Sequence, residues 1–248
     1  MNNSQKFPQK LRSSRVNKRI ILLMVICLAL VGLSSAGTPK GVEPAKPQDA
    51  VGFYTKNGQT IWIVPGGDID VTTAGKVSPA QLEALYPMSA AEEAKIVHAI
   101  PPCPVIIDGM KYKPEDITLF NGKRLRFVAG KDGSLYAFTT PEGLEQFQVE
   151  NRPSSAVPNN YSNFYRDAFY SGESFGLLPG CGCPYLSQIG FDKAVSSAKA
   201  TTTAAWSYLY EQTNFQGDIF AMPGGANYSM LIFQSWNDRA SSAYVSPY

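Results

Sequence analysis

In the last third of this 248-residue chain, one pattern is written twice, 45 residues apart. Tyr165, Tyr170 and Gly172 recur as Tyr210, Phe215 and Gly217. Phe175 recurs as Phe220, and Leu186 as Leu231. Phe191, Asp192, Ser196 and Ser197 recur as Trp236, Asn237, Ser241 and Ser242. One offset serves every pair, so the copies align without a gap. A fixed period constrains architecture before it constrains any single residue. Two copies, rich in aromatics and punctuated by Gly, predict one compact domain built from two similar β motifs.

The first 36 residues differ in kind. Lys6, Lys10, Arg12, Arg15, Lys18 and Arg19 form a basic region without an acid, and Ile20 to Leu33 is then 14 residues of apolar side chains and Gly. Ser34-Ser35-Ala36 supplies small residues where a signal peptidase reads. That order predicts a secretory signal. The apolar run is short for the roughly 20 residues of a membrane-spanning helix. A membrane anchor over residues 20–36 is the alternative, because Ser, Ala and Gly could extend the span. Cleavage would remove six basic charges and take the net charge from +2 to −4. A mildly acidic mature chain without a basic stripe does not suit nucleic acid.

Cys27 lies inside the apolar run and lacks the small-residue context that lipid attachment requires. The remaining cysteines are Cys103, Cys181 and Cys183. In an exported protein, three cysteines suggest one disulfide plus a free thiol. Cys103 could pair with Cys181 or Cys183, or Cys181 could close a strained ring with Cys183. A metal site on Cys181-Gly182-Cys183 is disfavoured, because one intervening residue is awkward for structural zinc and no second pair follows.

Residues 37–50 hold three Pro and little that is apolar, and read as a flexible linker. Residues 51–151 read as an α+β module. Val51 to Thr55 and Gln59 to Val64 flank a Lys56-Asn57-Gly58 hairpin turn. Ser78-Pro79-Ala80-Gln81 has the form of a capping box with Pro at the first helical position. Ser89-Ala90-Ala91-Glu92 repeats the device and predicts a helix through about His98, stopped by Pro101, Pro102 and Pro104. Strands are expected at 105–108, 124–128 and 135–139, and a short helix after Thr140-Pro141-Glu142. Residues 152–160, rich in Pro, Ser and Asn, read as the boundary to a second domain at 161–248.

The repeated signature is an aromatic, four residues, a second aromatic, one residue and Gly, followed about 20 residues later by paired Ser. It resembles the βγ-crystallin Greek key over residues 161–248. The resemblance implies an all-β double Greek key sandwich. A hairpin folded back over its sheet needs a sharp bend, and Gly172 and Gly217 tolerate positive φ there. Tyr165 and Tyr210 are expected to lie over those glycines. Ser197 and Ser242 are expected to bind the folded hairpins' backbone. Aromatics at 170, 175, 191, 215, 220 and 236 are expected to fill the core between two sheets.

The resemblance also implies calcium. Asn237-Asp238-Arg239-Ala240-Ser241-Ser242 matches the family's signature of two Asn or Asp, any two residues, Ser or Thr, then Ser. Calcium favours several hard oxygen ligands in a flexible cage. In the family the acid of one motif works with the hydroxyl of the other, so Asp238 would act with Ser196. The first copy reads Asp192-Lys193-Ala194-Val195-Ser196-Ser197, with Lys where a second acid belongs. An ammonium only donates and repels the ion, so the site combining position 193 with Ser241 is doubtful and one calcium site is expected. The candidate metal set is Asn237, Asp238, Ser241, Asp192 and Ser196.

Nothing in the sequence marks a catalytic centre. His98, the one histidine, is expected to cap a helix or face solvent, since no acid–base partner is near it in sequence. Asp68 and Asp70 read as solvated turn carboxylates, and Gly66-Gly67 and Gly224-Gly225 as turns. The expected role is non-enzymatic: a secreted or extracytoplasmic protein with a calcium-binding or structural domain, engaged in surface or matrix interaction. The alternative is a secreted metalloprotease inhibitor of the crystallin-like type, acting through loops near Pro179-Gly180 or Pro223-Gly224-Gly225. Partners would be calcium and an extracellular protein or protease; a membrane enters only if residues 1–36 are retained.

Overall fold

Ile219-Phe220-Ala221-Met222 is apolar at four successive positions, the pattern of a strand covered on both faces rather than one. The computed structural model describes residues 45–73, 77–130, 132–151, 161–200 and 206–246. The expected signal or anchor, most of the first linker and residues 152–160 lie outside them. Among the described residues no helix is long and apolar enough to cross a membrane.

The repeat builds four strands per copy. The first copy gives β8 (Ser162–Asp167), β9 (Ser171–Leu177), β10 (Cys181–Cys183) and β11 (Ser197–Lys199). The second gives β12 (Trp206–Tyr210), β13 (Ile219–Pro223), β14 (Asn227–Tyr228) and β15 (Ser242–Val245). Each copy lends its third strand to the other's sheet. One sheet contains the order β14-β11-β8-β9, the other β10-β15-β12-β13. That exchange is a double Greek key with internal two-fold equivalence, and it follows from the strand order alone.

The preceding residues add strands to both sheets. The hairpin β1 (Gly52–Lys56) and β2 (Gln59–Ile63) joins the first sheet through antiparallel pairing of β1 with β9. Gly176 on β9 faces the ring of Phe53, which fills the space a Cβ would need. In the second sheet β3 (Thr72–Thr73) pairs with β10. At its other end β6 (Arg126–Ala129) runs parallel to β13 and carries β7 (Leu135–Phe138), β4 (Val105–Ile107) and β5 (Met110–Tyr112). Residues 51–151 and 161–248, expected as separate domains, therefore share both sheets, and Glu43–Tyr248 forms one compact unit.

Two apolar layers result. Between the sheets, Phe164, Phe175, Phe191, Phe220 and Trp236 pack with Ile63, Val105 and Phe127 from the preceding segment. Of the six aromatics expected in this core, Phe215 is buried elsewhere and Tyr170 is only half-buried. The outer face of the second sheet carries Trp206, Tyr208, Tyr210, Phe215 and Tyr244. It is covered by Leu82 of α1 (Pro79–Leu85) and Leu144 of α3 (Pro141–Glu150). The all-round apolar β13 answers to this double cover.

Both capping boxes form, at Ser78 with Gln81 and at Ser89 with Glu92. The second helix, α2, spans only Ala90–Glu93 and does not reach His98. The chain turns inward instead: Ile96 is buried, and its carbonyl accepts from the Gly122 N–H at 2.8 Å. Tertiary burial of two alternate residues, Ile96 and His98, overrides the cap's local signal.

The expected disulfide is absent: Cys103, Cys181 and Cys183 are free thiols. Cys181 and Cys183 occupy one strand two residues apart, a Cα separation of about 6.7 Å, at the far end of what a disulfide spans. Burial pushes both thiols up to about 11. Cys103, half-buried, packs against the inter-sheet core.

Candidate cation site between the two motifs

The sharp turns of the two copies recur with the sequence. Positive φ occurs at Phe169 and Asn214, Tyr170 and Phe215, Gly172 and Gly217, Gly180 and Gly225, Gly190 and Ser235, and Lys193 and Asp238. Every pair is 45 residues apart, so the repeat extends to the backbone.

Ser197 and Ser242 tie down the folded hairpins identically. Ser197 Oγ accepts from the Tyr170 N–H at 3.0 Å and donates to the Asp167 carbonyl at 2.6 Å. Ser242 Oγ accepts from the Phe215 N–H at 3.0 Å and donates to the Gln212 carbonyl at 2.6 Å. Tyr165 and Tyr210 do not supply the atoms nearest the glycines. The space beside Gly172 is taken by Asp167 and Arg166, and that beside Gly217 by Gln212 and Glu211. The tyrosines instead meet the second aromatic edge-on, Tyr165 with Tyr170 at 5.8 Å and Tyr210 with Phe215 at 5.5 Å. An i,i+5 aromatic pair braces each hairpin, while polar side chains pack on its glycine.

The two signature loops lie side by side. The Lys193 N–H donates to the Ala240 carbonyl at 2.8 Å, and the Asp238 N–H to the Val195 carbonyl at 3.0 Å. These reciprocal bonds bring each motif's second signature residue onto the other motif. Ser196 Oγ donates to Asp238 Oδ1 at 3.1 Å, and Asn237 Nδ2 to Asp238 Oδ2 at 2.7 Å. Of the five candidate metal residues, Asp238, Ser196 and Asn237 thus converge. Asp192 is exposed, and Ser241 is buried with its N–H bonded to the Tyr210 carbonyl.

At the reciprocal position Lys193 does more than repel. Its ammonium donates to the backbone carbonyls of Glu211 and, at 2.6 Å, of Arg239. Desolvation there lowers the Lys193 pKa, and Glu211 opposes the drop. A tethered cation therefore holds the oxygens of the first motif's site. Shifted by 45 residues, the same two carbonyls are those of Arg166 and Ala194. Arg166 sits where the β8–β9 register is interrupted between Tyr165 and Asp167.

A charged chain runs inward from this point. The Arg239 guanidinium reaches Glu211 at 3.1 Å and the fully buried Asp218 at 3.2 Å. Asp218 also accepts from the Leu125 N–H at 2.8 Å and faces His98 Nδ1 at 2.8 Å. His98 Nε2 lies 3.0 Å from the Phe120 carbonyl and 3.1 Å from that of Lys123. Carbonyls only accept, so Nε2 carries a proton; the carboxylate calls for a second on Nδ1. Burial pulls the His98 pKa down, but the Asp218 hydrogen bond and charge outweigh it and raise the pKa overall. His98 is thus a buried ion-pair partner, only 4% exposed, and not a cap or surface residue. Its acid is 120 residues away, beyond any local reading. The one hint was Asp218 itself, a lone acid opening a wholly apolar strand.

Other expected features fall outside this site. Asp70 is not simply solvated: it exchanges two hydrogen bonds with Gln188, at 2.8 and 2.7 Å. Gly180 is buried and its N–H is bonded to the Val245 carbonyl, so Pro179-Gly180 does not protrude, whereas Gly225 is exposed. Among the described residues no group of three or more His, Cys, Asp or Glu side chains could hold a metal. A cation here would depend on one carboxylate, a hydroxyl and carbonyls, a donor set of hard oxygens that suits calcium and not zinc.

No family profile and no curated protein matches this chain. Among solved structures it is similar to a double mutant of a βγ-crystallin domain from Clostridium beijerinckii, at 26% identity and a TM-score of 0.30, covering 36% of this chain and all of that one. It is also similar to a βγ-crystallin from Ciona intestinalis, at 19% identity and a TM-score of 0.30, over 35% of this chain and 100% of that one. A third is the N-terminal domain of Protein S, at 22% identity and a TM-score of 0.30, over 35% and 96%. The first two of these are βγ-crystallin domains, and each of the three covers little more than a third of this chain.

Proposed function

We propose that this is an exported, non-enzymatic protein whose paired motifs bind one calcium ion, and that it acts by surface or matrix interaction. The observation that carries the calcium reading is the contact of Asp238 with Ser196 across the two motifs at 3.1 Å. Asp238 and Ser196, with the carbonyls of Arg166 and Ala194 by equivalence to those held by Lys193, would hold the ion. Calcium there would draw the two signature loops together through their shared oxygens. Asn237 would orient the second carboxylate oxygen, which it already contacts at 2.7 Å. The reciprocal place is taken by the Lys193 ammonium, which supports a stoichiometry of one. Export rests on the order of residues in 1–36, and the interaction role on the lack of any convergent catalytic set in the sequence.

One carboxylate implies weak affinity of the extracellular-module kind, on the order of 10⁻⁴ M. Calcium at a hundredfold excess over its dissociation constant should stabilise the protein by about 2.7 kcal/mol. Titration calorimetry and thermal melts of the full chain test this. Calcium, and not magnesium, should raise the melting temperature, and Asp238→Ala should abolish the shift. A calcium titration without heat and without a thermal shift sinks the reading and leaves a purely structural Greek key.

A further inference from the structure

We propose that the free edge of β14 is a docking surface for an extended segment of a partner protein. That segment is apolar where it meets Phe233 and carries a carboxylate within reach of Lys199. The inference deepens the interaction reading above and does not depend on calcium.

The internal two-fold equivalence supplies the template. β14 in the first sheet corresponds to β10 in the second, and each is the outer strand of its Greek key. The β10 edge is filled by the chain itself: Thr73 pairs with Cys181 and Thr72 with Gly182. Ile69 and Val71 of that segment pack on the inter-sheet core, and Asp70 exchanges two hydrogen bonds with Gln188. Further along, Tyr86 meets the ring of Phe215 at 5.0 Å, and Tyr244 Oη donates to the Val77 carbonyl at 3.1 Å.

At the β14 edge, among the described residues, no strand plays this part. What surrounds it has changed accordingly. The residue equivalent to Gln188 is Phe233, and that equivalent to Ser187 is Ile232, each 57% exposed. Phe169, 67% exposed, is fixed beside the strand by its N–H bond to the Ser229 carbonyl at 2.7 Å. Tyr170, equivalent to the covered Phe215, is half-exposed. Lys199 stands where Tyr244 does in the other half, with its ammonium 4.3 Å from the Tyr170 ring. An open edge with unpaired backbone groups is a template for strand addition, main-chain bonds giving affinity and alternate side chains specificity. The exchange of Gln for Phe calls for an apolar residue where the internal segment has Asp70. The exchange of Tyr for Lys calls for an acid where it offers the Val77 carbonyl. Register follows from the template: the partner's backbone should lie opposite Ala226 and Asn227 and bond Asn227, since the Ala226 N–H and carbonyl already bond the Pro223 carbonyl and the Ala200 N–H.

The probe is a synthetic peptide copying residues 65–87 with Asp70→Leu and Val77→Glu, titrated into the full chain with and without calcium. It should bind with a dissociation constant below about 1 mM, the weak end of specific association, and slow amide exchange at Asn227, whose backbone faces away from β11. Phe233→Gln in the protein should weaken this peptide about tenfold and favour the unaltered copy carrying Asp70, whose partner glutamine it restores. Lys199→Glu should weaken the acidic peptide and strengthen one with Val77→Lys. Phe233 is exposed and Lys199 is partly buried, so an unchanged melting temperature is required to show that the fold is intact. Absence of binding, binding without protection of the Asn227 amide, or indifference to Phe233→Gln would overturn the proposal. So would a concentration-dependent dimer abolished by Phe233→Gln, which assigns the edge to a second copy of this chain. A failed peptide titration with calcium binding intact removes the docking surface alone.

Discussion

Lys193 and Asp238 hold the same place in the two motifs, with the same left-handed backbone (φ 52° and 55°) and opposite charge. A non-glycine residue at such φ is uncommon and marks a position the fold enforces. The turn is therefore kept in both copies while the chemistry differs. In one copy an ammonium binds the neighbouring motif's carbonyls; in the other a carboxylate meets the neighbouring motif's hydroxyl.

This makes Lys193 a stabilising residue in its own right. Lys193→Met keeps the stem and removes the donor, leaving the Glu211 and Arg239 carbonyls without it. The loss should cost about 1 kcal/mol, the scale of an intramolecular hydrogen bond at a partly solvated position. Chemical denaturation in the absence of calcium checks it. Lys193→Asp should lower stability further without calcium and raise the bound stoichiometry from one toward two with it. Unchanged stability in Lys193→Met would show that the ammonium contact is incidental.

The His98–Asp218 pair predicts a pH dependence. His98 has its pKa raised in the folded protein above the ordinary histidine value of about 6.5. The protonated form therefore contributes stability in full below about pH 6.5, and that contribution is lost as pH rises through the folded pKa. The other groups facing the pair are Arg239, the Leu125 N–H and the Phe120 and Lys123 carbonyls. Urea melts should show a fall in unfolding free energy from pH 6 toward mildly alkaline pH. His98→Gln should flatten that slope. Removing the pair's cation leaves Asp218 buried with only Arg239 and the Leu125 N–H in contact, and His98→Ala should cost about 3 kcal/mol at pH 6. A wild-type profile flat across neutrality would contradict a buried imidazolium.

What could be read from the sequence was carried by side chains at fixed spacing. The aromatic-aromatic-Gly signature, the paired Ser and the Asn237–Ser242 loop all recur, and their geometry recurs with them. What could not be read was carried by main-chain pairing or by long-range partners. Thr72-Thr73 joins a sheet through backbone alone, and two threonines between a glycine-rich turn and a helix look like any loop. The parallel pairing of β6 with β13 needs no complementary pattern in either strand. His98 and Asp218 are each unremarkable until the fold brings them together. The cysteines misled because three thiols near an export-like segment imitate an oxidised framework, while two lie on one strand and prefer burial.

The paired seryl caps should be worth nearly the same. Each hydroxyl both accepts from a hairpin amide and donates to a hairpin carbonyl, so its loss orphans two backbone groups. Ser197→Ala and Ser242→Ala should each destabilise by about 1–3 kcal/mol. The Ser242 change should be the costlier, because its hairpin residue Phe215 is fully buried while Tyr170 is half-exposed. Equilibrium unfolding of the two variants measures both values. A negligible effect in either would mean that water replaces the hydroxyl there.

The shared sheets carry the last prediction. If residues 161–248 are expressed without 51–151, β9 loses β1, β13 loses β6 and β10 loses β3. The outer face of the second sheet loses Leu82 and Leu144, and Trp206, Tyr208, Tyr210 and Phe215 become exposed. Asp218 loses His98 and the Leu125 N–H. A contiguous aromatic patch beside an open strand edge is an aggregation hazard. The isolated segment should therefore be poorly soluble, or bind a hydrophobic dye and melt well below the full chain. Adding back residues 45–151 as a separate polypeptide should recover solubility in part, since the contacts it supplies are native ones. A soluble, monomeric 161–248 fragment with the melting temperature of the full chain would show that the added strands decorate the Greek keys without supporting them.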